Sequence, residues 1–237
     1  MATNTGKKAR RGKEEVYEYG ESNKVRLNHT FPKLEALSYR QQDYIDAINT
    51  KDIVFAIGSA GSGKSYVSTH WAAEQLYYKR VDRIIITRPA VEACGESLGY
   101  LPGDLITGKL MPYLIPYMET LNDLLGKSYV EYCLKVGAIE PVPLAFMRGR
   151  SFKNCVILGD ELQSSTPQQL KMILTRLGRN TKLLLNGDLD QRDKTTNGLE
   201  DAMETIRHLP EVEIIQFYDD DCVRSGLCKK ILKAYRS

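Results

Sequence analysis

The sequence predicts an α/β fold in which a mainly parallel sheet is covered by helices on both faces. Short apolar runs recur along the chain, and each is joined to the next by a segment that can form a helix. This alternation is typical of parallel sheets, whose strands are buried on both faces. Right-handed crossovers bring the carboxyl ends of such strands to one edge. We therefore expect a ligand at that edge, where Gly58, Asp160 and Gly187 end or follow apolar runs.

The first predicted element of the sheet domain is a helix over residues 38–48. Ser38 is a candidate N-cap, because its hydroxyl can accept from the free N–H groups of the first turn. Tyr44, Ile45 and Ile48 recur at helical spacing and define one apolar face. This helix precedes the first predicted strand.

The predicted strands are short apolar runs. They cover residues 52–57, 83–87, 155–158, 183–185 and 212–217. Residues 101–136 are apolar and contain three prolines, which favours irregular helices over the edge of the sheet. Pro141 and Pro143 interrupt the pattern that follows, so no strand is predicted there.

Two segments are distinguished along the chain. Residues 1–30 are polar and rich in charge, which predicts a disordered or loosely attached basic N-terminal segment. Residues 31–237 show no internal repeat and no clear linker. They are predicted to form a single domain, since a chain of 237 residues is marginal for two.

The composition is that of an ordinary globular protein, with 42% hydrophobic and 27% charged residues. No run of apolar residues is long enough to span a membrane, and no apolar signal segment is present, so we expect a cytoplasmic protein. The five cysteines form no C-x-x-C pair, which indicates reduced, mostly buried thiols. The net charge is only +3, but lysine and arginine residues are concentrated in residues 7–13 and 224–236. These clusters either contact phosphate groups or are solvated surface.

A glycine-rich loop follows the first predicted strand and precedes a helical segment. It consists of Gly58, Ser59, Ala60, Gly61, Ser62, Gly63, Lys64 and Ser65. The pattern G-x-x-x-x-G-K-[ST] is typical of phosphate-binding loops, in which backbone N–H groups converge on a polyphosphate. Lys64 supplies a charge for the phosphates, and the Ser65 hydroxyl can bind Mg²⁺. The alternative is a glycine-rich turn without a ligand.

Two adjacent acids end a later strand. Asp160 is predicted to hold Mg²⁺, largely through water, and Glu161 to orient the attacking water. A solvated acidic loop is the alternative. Gln191 follows another strand in the pattern Gly-Asp-x-x-Gln, which suits a sensor of the γ-phosphate, with a polar turn as the alternative.

Three arginines are candidates for nucleic-acid contact. Arg88 follows the second strand of the predicted sheet at the ligand edge, and Arg148 and Arg150 flank a glycine just before the acid-bearing strand. Arginine suits phosphate recognition because its guanidinium forms paired hydrogen bonds. Surface salt bridges are the alternative for Arg148 and Arg150.

These residues together resemble the PhoH-like family of P-loop ATPases, which is related to superfamily 1 helicases. The motifs that carry the resemblance lie at residues 39–48, 58–65, 88–104, 147–151, 160–163, 187–191, 197–199 and 221–224. The chain departs from the family pattern at two positions. Leu162 stands where the family has Ala in D-E-A-Q, and Cys94 is an additional residue in the loop that the family usually has as A-G-E. The resemblance spans residues 34–236 and implies a RecA-like P-loop NTPase fold.

The resemblance also implies roles for single residues. Gln41 is expected to contact the adenine edge, and Gln191 to sense the γ-phosphate. Arg224 is similar to the arginine that approaches the γ-phosphate in relatives, from the same or a neighbouring subunit. Mg²⁺-dependent ATP hydrolysis coupled to single-stranded RNA or DNA is the implied function. The short form resembles the bacteriophage versions, which would place the protein in the host cytoplasm.

A homo-oligomer is expected because superfamily 1 motors bind ATP between two ATPase cores, whereas this chain has one. A second charged surface would be needed for rapid hydrolysis, so we expect a ring, such as a hexamer, with sites at the interfaces.

Two other functions remain open from the sequence. One is a nucleotide-dependent regulatory switch with slow turnover, and the other is a small-molecule kinase. The Gly187–Gln191 motif disfavours a kinase. A GTPase is disfavoured because no N-K-x-D motif occurs.

Overall fold

The computed structural model describes residues 15–19, 23–27, 30–89, 114–191 and 198–224, together with residues 226, 227 and 234. The chain divides into two units, Met1–Thr30 and Phe31–Ser237. In the first unit, β1 (Glu15–Tyr19) and β2 (Asn23–Leu27) form an antiparallel pair. These strands were not predicted, because residues 1–30 are polar and rich in charge as a whole and were expected to be disordered or loosely attached.

A six-stranded sheet forms the centre of the second unit. Its strands are β3 (Ile53–Gly58), β4 (Arg83–Arg88), β5 (Ile139–Pro143), β6 (Cys155–Gly159), β7 (Thr181–Gly187) and β8 (Val212–Phe217). The order across the sheet is β5-β4-β6-β7-β3-β8, and all neighbours are parallel. The predicted RecA-like α/β fold is confirmed.

The helices of this unit connect and cover the strands. They are α1 (Tyr39–Thr50), α2 (Lys64–Tyr77), α3 (Ile115–Leu125), α4 (Lys127–Val136), α5 (Pro167–Leu174) and α6 (Gly198–Ile206). The Ser38 hydroxyl accepts from the backbone N–H of Gln41 at 3.2 Å, which confirms the predicted N-cap of α1. Tyr44 and Ile48 are buried as expected, whereas Ile45 is only half-buried. Among the described helices, none has the length and apolar character needed to cross a bilayer.

The strand β5 was not predicted because it contains Pro141 and Pro143. The strand lies at the edge of the sheet and pairs only with β4, where Pro141 is opposite Ile86 and Pro143 opposite Arg88. A proline removes one backbone donor, which is tolerated on an edge strand because one side of that strand has no partner. The prolines therefore mark the edge of this sheet.

The core consists of the strands and the apolar sides of the helices that cover them. On one face, Phe55 and Ile157 of the sheet belong to the same buried cluster as Leu170 of α5 and Leu199 of α6. Three cysteines in the described part of the chain are buried and unpaired, namely Cys133, Cys155 and Cys222. Their burial agrees with the mostly buried thiols expected from the sequence.

Candidate nucleotide-binding site

The phosphate loop connects β3 to α2 and depends on three glycines. Gly58, Gly61 and Gly63 have φ values of 133°, 85° and 82°, in the region that favours glycine. A Cβ atom at Gly58 would lie 2.0 Å from the carbonyl oxygen of Phe217, and one at Gly63 would lie 2.5 Å from Nε2 of Gln41. Because α2 begins directly after Gly63, its amino end faces the loop. The loop has the backbone conformation that phosphate binding requires.

The ammonium group of Lys64 lies inside this loop. Its Nζ donates to the carbonyl oxygens of Gly58 and Ser59 at 2.6 and 2.8 Å and lies 3.2 Å from Oγ of Ser62. Burial lowers the pKa of Lys64, and neighbouring carboxylates act in the opposite direction. The loop thus holds one positive charge where phosphate oxygens would approach.

A cavity of about 440 Å³ opens at the carboxyl edge of the sheet. Most of the predicted site residues line it, including Gly58, Ala60, Gly61, Gly63, Lys64, Ser65, Arg88, Asp160, Glu161, Gln191 and Arg224. These residues come from the ends of β3, β4, β6 and β7 and from the segment after β8. The topology therefore brings distant motifs to one site, as the sequence predicted.

Ser65 and Asp160 supply the oxygen atoms that fit a magnesium ion. The Ser65 hydroxyl lies 3.5 Å from Oδ1 of Asp160. Burial raises the pKa of Asp160, and the Glu161 carboxylate adds to this shift, whereas a hydrogen bond from Tyr117 and the charge of Arg88 oppose it. A cation beside Asp160 would relieve the cost of burying its charge. Mg²⁺ prefers oxygen ligands and keeps several waters, so these two side chains suit it.

Glu161 is held in place by a residue to which the sequence analysis gave no role. The Gln163 side chain donates to Oε2 of Glu161 at 2.5 Å and accepts from the backbone N–H of Asp188 at 3.1 Å. Gln163 is buried, and Glu161 has a φ of 52°. Gln163 therefore links the end of β6 to the end of β7 through these two hydrogen bonds. Its place in the D-E-L-Q motif was the only signal in the sequence.

Gln191 lies in a short 3₁₀ turn after β7. Its Nε2 donates to Oδ2 of Asp188 at 2.8 Å, and its backbone N–H donates to the Asp188 carbonyl at 3.1 Å. Asp188 is buried and lines the same cavity. Asp188 therefore orients the amide that the sequence predicts as a γ-phosphate sensor.

Arg224 reaches the cavity of its own chain. The backbone N–H of Val223 donates to the carbonyl oxygen of Gly61 at 2.9 Å, which ties the segment after β8 to the phosphate loop. A Cβ atom at Gly61 would lie 3.0 Å from Cδ of Arg224. Arg224 therefore lies beside the phosphate loop of its own chain.

The position of Gln41 differs from the expected contact with adenine. Its carboxamide is almost fully buried and does not line the cavity. The oxygen accepts from the backbone N–H of Leu37 at 2.7 Å, and the nitrogen donates to the carbonyl oxygen of Ser62 at 2.9 Å. Both ends of the amide are thus engaged inside the protein, and Gln41 fixes the phosphate loop to α1.

A buried hydrogen-bonded network reaches the acid pair from α3. Asn186 on β7 accepts from the Tyr44 hydroxyl at 3.1 Å, and its Nδ2 lies 3.4 Å from the Tyr117 hydroxyl and 3.2 Å from Oγ of Ser68. The Tyr117 hydroxyl also hydrogen-bonds Asp160, and burial raises its pKa well above the ordinary range. Tyr117 lies in no recognisable motif, so its role was not predicted.

Replacing Tyr117 by Phe is expected to weaken Mg²⁺-dependent nucleotide binding about 10- to 100-fold, the usual effect of losing a partner of a metal ligand. The measurement is the dissociation constant of a non-hydrolysable ATP analogue with Mg²⁺ and with a chelator. Tyr44→Phe is the matched control, since it removes an equally buried hydroxyl that bonds Asn186 but not Asp160. Equal changes in both variants would contradict the role of Tyr117.

The three arginines predicted to contact nucleic acid lie in different environments. Arg88 lines the cavity, and Arg148 is exposed. Arg150 forms a two-point pair with Glu140, with both N–O distances at 2.8 Å, and its guanidinium lies over the ring of Phe152. The structure therefore favours the salt-bridge alternative for Arg150.

Several motifs of the sequence analysis fall outside the described residues. They are residues 90–104, residue 197, the cations of residues 7–13 and those at 229, 230, 233 and 236.

The fold and the site define a P-loop nucleotide-binding protein. The chain belongs to the PhoH-like family, because the family described as "PhoH: PhoH-like protein" matches residues 33–236. It is 46% identical over 200 residues to Protein PhoH of Escherichia coli K12, covering 82% of this chain and 56% of that protein. It is 39% identical over 232 residues to the PhoH-like protein of Bacillus subtilis, covering 97% and 72%. The chain thus spans little more than half the length of the E. coli relative.

These relatives are bacterial, and no comparison supports the expected bacteriophage origin.

Among solved structures, the chain is similar to the SWI2/SNF2 ATPase core of Sulfolobus solfataricus in complex with dsDNA, with a TM-score of 0.47 and 14% identity over 82% of this chain and 48% of that chain. It is also similar to the Hef helicase domain of Pyrococcus furiosus, with a TM-score of 0.45 and 12% identity over 76% and 38%.

Proposed function

We propose that the protein is a Mg²⁺-dependent ATPase coupled to single-stranded RNA or DNA. The observation that carries the ATPase is the convergence of Lys64, Asp160, Glu161 and Arg224 on one cavity. The coupling to nucleic acid is supported by the family resemblance and by the exposed Arg148. Because ATP is the substrate, we place the activity in the cytoplasm.

The side chains of the site divide the work of hydrolysis. The phosphate loop and Lys64 hold the triphosphate, and Ser65 and Asp160 would hold Mg²⁺, which would supply charge neutralisation during hydrolysis. Glu161, oriented by Gln163, positions the attacking water and accepts its proton. Gln191, oriented by Asp188, contacts the γ-phosphate or that water.

Arg224 completes the site by stabilising the charge that develops on the transferred phosphoryl group. The expectation of a ring rested on the need for a second charged surface. Since Arg224 lines the cavity of its own chain, the proposed hydrolysis does not require a neighbouring subunit. The homo-oligomer is kept as a proposal, without a catalytic role assigned to it.

The test is phosphate release from ATP and Mg²⁺, with and without single-stranded RNA or DNA. Lys64→Ala is expected to reduce the rate about 10²–10³-fold, as is usual when a charge-stabilising donor is lost. Lys127→Ala on α4 is the control, because this lysine is exposed and outside the cavity.

Other outcomes of the same assay would favour the alternatives. Turnover that ignores nucleic acid would contradict the coupling. Tight nucleotide binding without turnover would favour the regulatory switch, and phosphate transfer to a small acceptor would favour the kinase.

A further inference from the structure

A group of cations lies in α5 and in the neighbouring segments that precede β6 and β7, outside the nucleotide cavity. We call these residues the basic strip. They are Arg148, Lys153, Lys171, Arg176 and Arg179, of which Arg176 is half-buried and the others are exposed. The sequence analysis singled out only Arg148 among them. None of the five lines the nucleotide cavity.

Packing and backbone hydrogen bonds bring the segments of the basic strip together. Met147, Phe152 and Ile173, which belong to these segments, are buried in one core cluster. The backbone N–H of Phe152 donates to the carbonyl of Arg176 at 3.0 Å, and that of Asn154 donates to the carbonyl of Arg179 at 3.0 Å. Residues 152–154 and 176–179 therefore run side by side.

Acidic residues are few in the stretch of sequence that carries the basic strip. Between Pro141 and Lys182 the sequence contains seven cations but only two acids, Asp160 and Glu161, and both acids line the nucleotide cavity. The seven cations are Arg148, Arg150, Lys153, Lys171, Arg176, Arg179 and Lys182.

The two other cations of this region have partners, since Arg150 pairs with Glu140 and Lys182 donates to the backbone carbonyls of Ile48 and Lys51. Within the described part of the chain, the recorded ion pairs involve Arg40, Lys51, Arg80, Arg83 and Arg150, and no cation of the basic strip. The Nε atom of Arg176 is buried without a hydrogen-bond partner. Unpaired like charges on neighbouring segments raise the local potential and attract a polyanion.

An exposed aromatic ring lies at one end of the basic strip. Phe146 has 58% of its surface exposed, in the 3₁₀ turn that follows β5 at the carboxyl edge of the sheet. Arg179 lies at the opposite edge, just before β7. The basic strip therefore extends for the length of a strand, on the order of 20 Å. A row of cations ending in an aromatic face suits single-stranded nucleic acid, whose phosphates and bases contact these groups separately.

We propose that the basic strip binds the phosphate backbone of a single-stranded nucleic acid and that Phe146 stacks on one of its bases. The inference rests on the proposed coupling to nucleic acid and assigns it to a surface. It also gives a route for coupling. Lys171 of the basic strip lies on α5, which follows Glu161 and Gln163 in the chain, so binding of a nucleic-acid strand would act on the element next to the acid pair.

The test measures binding of short single-stranded RNA and DNA by fluorescence anisotropy between about 50 and 200 mM salt. The double variant Lys153→Ala/Arg179→Ala is compared with Lys33→Ala/Lys127→Ala, which removes two exposed cations elsewhere. Each lost phosphate contact lowers the slope of log affinity against log salt by about 0.7 for single strands, so the strip variant should lose about 1.4. The control should keep the wild-type slope.

Phe146→Ala should weaken binding about 5- to 150-fold at each salt concentration without changing the slope, because stacking involves no counterions. Equal losses in the strip and control variants would overturn the assignment. The assignment would also be overturned if polyglutamate bound as tightly as nucleic acid and Phe146→Ala left nucleic-acid binding unchanged. That result would indicate a surface for acidic proteins. If the wild-type protein binds no strand, the proposed coupling fails as well, and basal ATP hydrolysis shows whether the ATPase proposal survives.

Discussion

Replacing Arg224 by Ala is expected to lower the rate of ATP hydrolysis about 10³–10⁵-fold, the range measured for arginines that stabilise a transferring phosphoryl group. Arg224 lines the cavity, and the backbone of its neighbour Val223 is hydrogen-bonded to the phosphate loop, so we expect the guanidinium to act on a nucleotide held by the same chain. The measurement is kcat for phosphate release at saturating ATP. Arg224→Lys should recover only part of the loss, because an ammonium lacks the planar pair of donors.

A mixing experiment decides between action within a chain and action between chains. Lys64→Ala and Arg224→Ala proteins are combined after each has been assayed alone. The structure leads us to expect no recovery, since each chain carries one defect in its own cavity. Restored activity on mixing would show that Arg224 completes a neighbour's site and would reinstate the ring.

Replacing Glu161 by Gln is expected to reduce hydrolysis about 10²–10⁴-fold while nucleotide affinity changes little. The substitution keeps the size of the side chain but removes the carboxylate that accepts a proton. The hydrogen bond from Gln163 can be kept, because a glutamine oxygen also accepts. Rate and affinity are measured separately, by single-turnover hydrolysis and by binding of a non-hydrolysable analogue.

Glu131→Gln is the matched control for this substitution, because Glu131 is exposed on α4 and does not line the cavity. A Glu161→Gln variant that loses affinity in proportion to rate would indicate that Glu161 binds the ion or nucleotide. It would not then be the residue that activates water.

Much of the site could be predicted because its determinants are local in sequence. The phosphate loop follows from glycines that adopt positive φ within a few residues of Lys64. The position of Asp160 and Glu161 follows from the buried strand before them, because that strand must end at the ligand edge of a parallel sheet. Spacing alone therefore placed Lys64, Ser65, Asp160 and Glu161 correctly in one cavity.

The remaining features depend on contacts between distant segments. The motif around Gln41 predicted that this residue lies near the nucleotide site. It did not predict that the Gln41 amide would be hydrogen-bonded to the backbone of Leu37 and Ser62. Tyr117 comes from a helix with no recognisable motif, and only the packing of α3 brings its hydroxyl to Asp160. The two prolines of β5 suggested an interruption, since the edge position that tolerates them is a property of the assembled sheet.

The position of β3 has a consequence for how the protein forms on the ribosome. β3 lies between β7 and β8, both of which are synthesised long after it, and the loop that follows β3 touches Phe217 and Val223. During translation the phosphate loop therefore emerges early but lacks its neighbours, and both edges of β3 stay unpaired. Nucleotide can help fold the domain only after β8 has left the exit tunnel. The nascent chain should thus depend on protection of β3 until late in its synthesis.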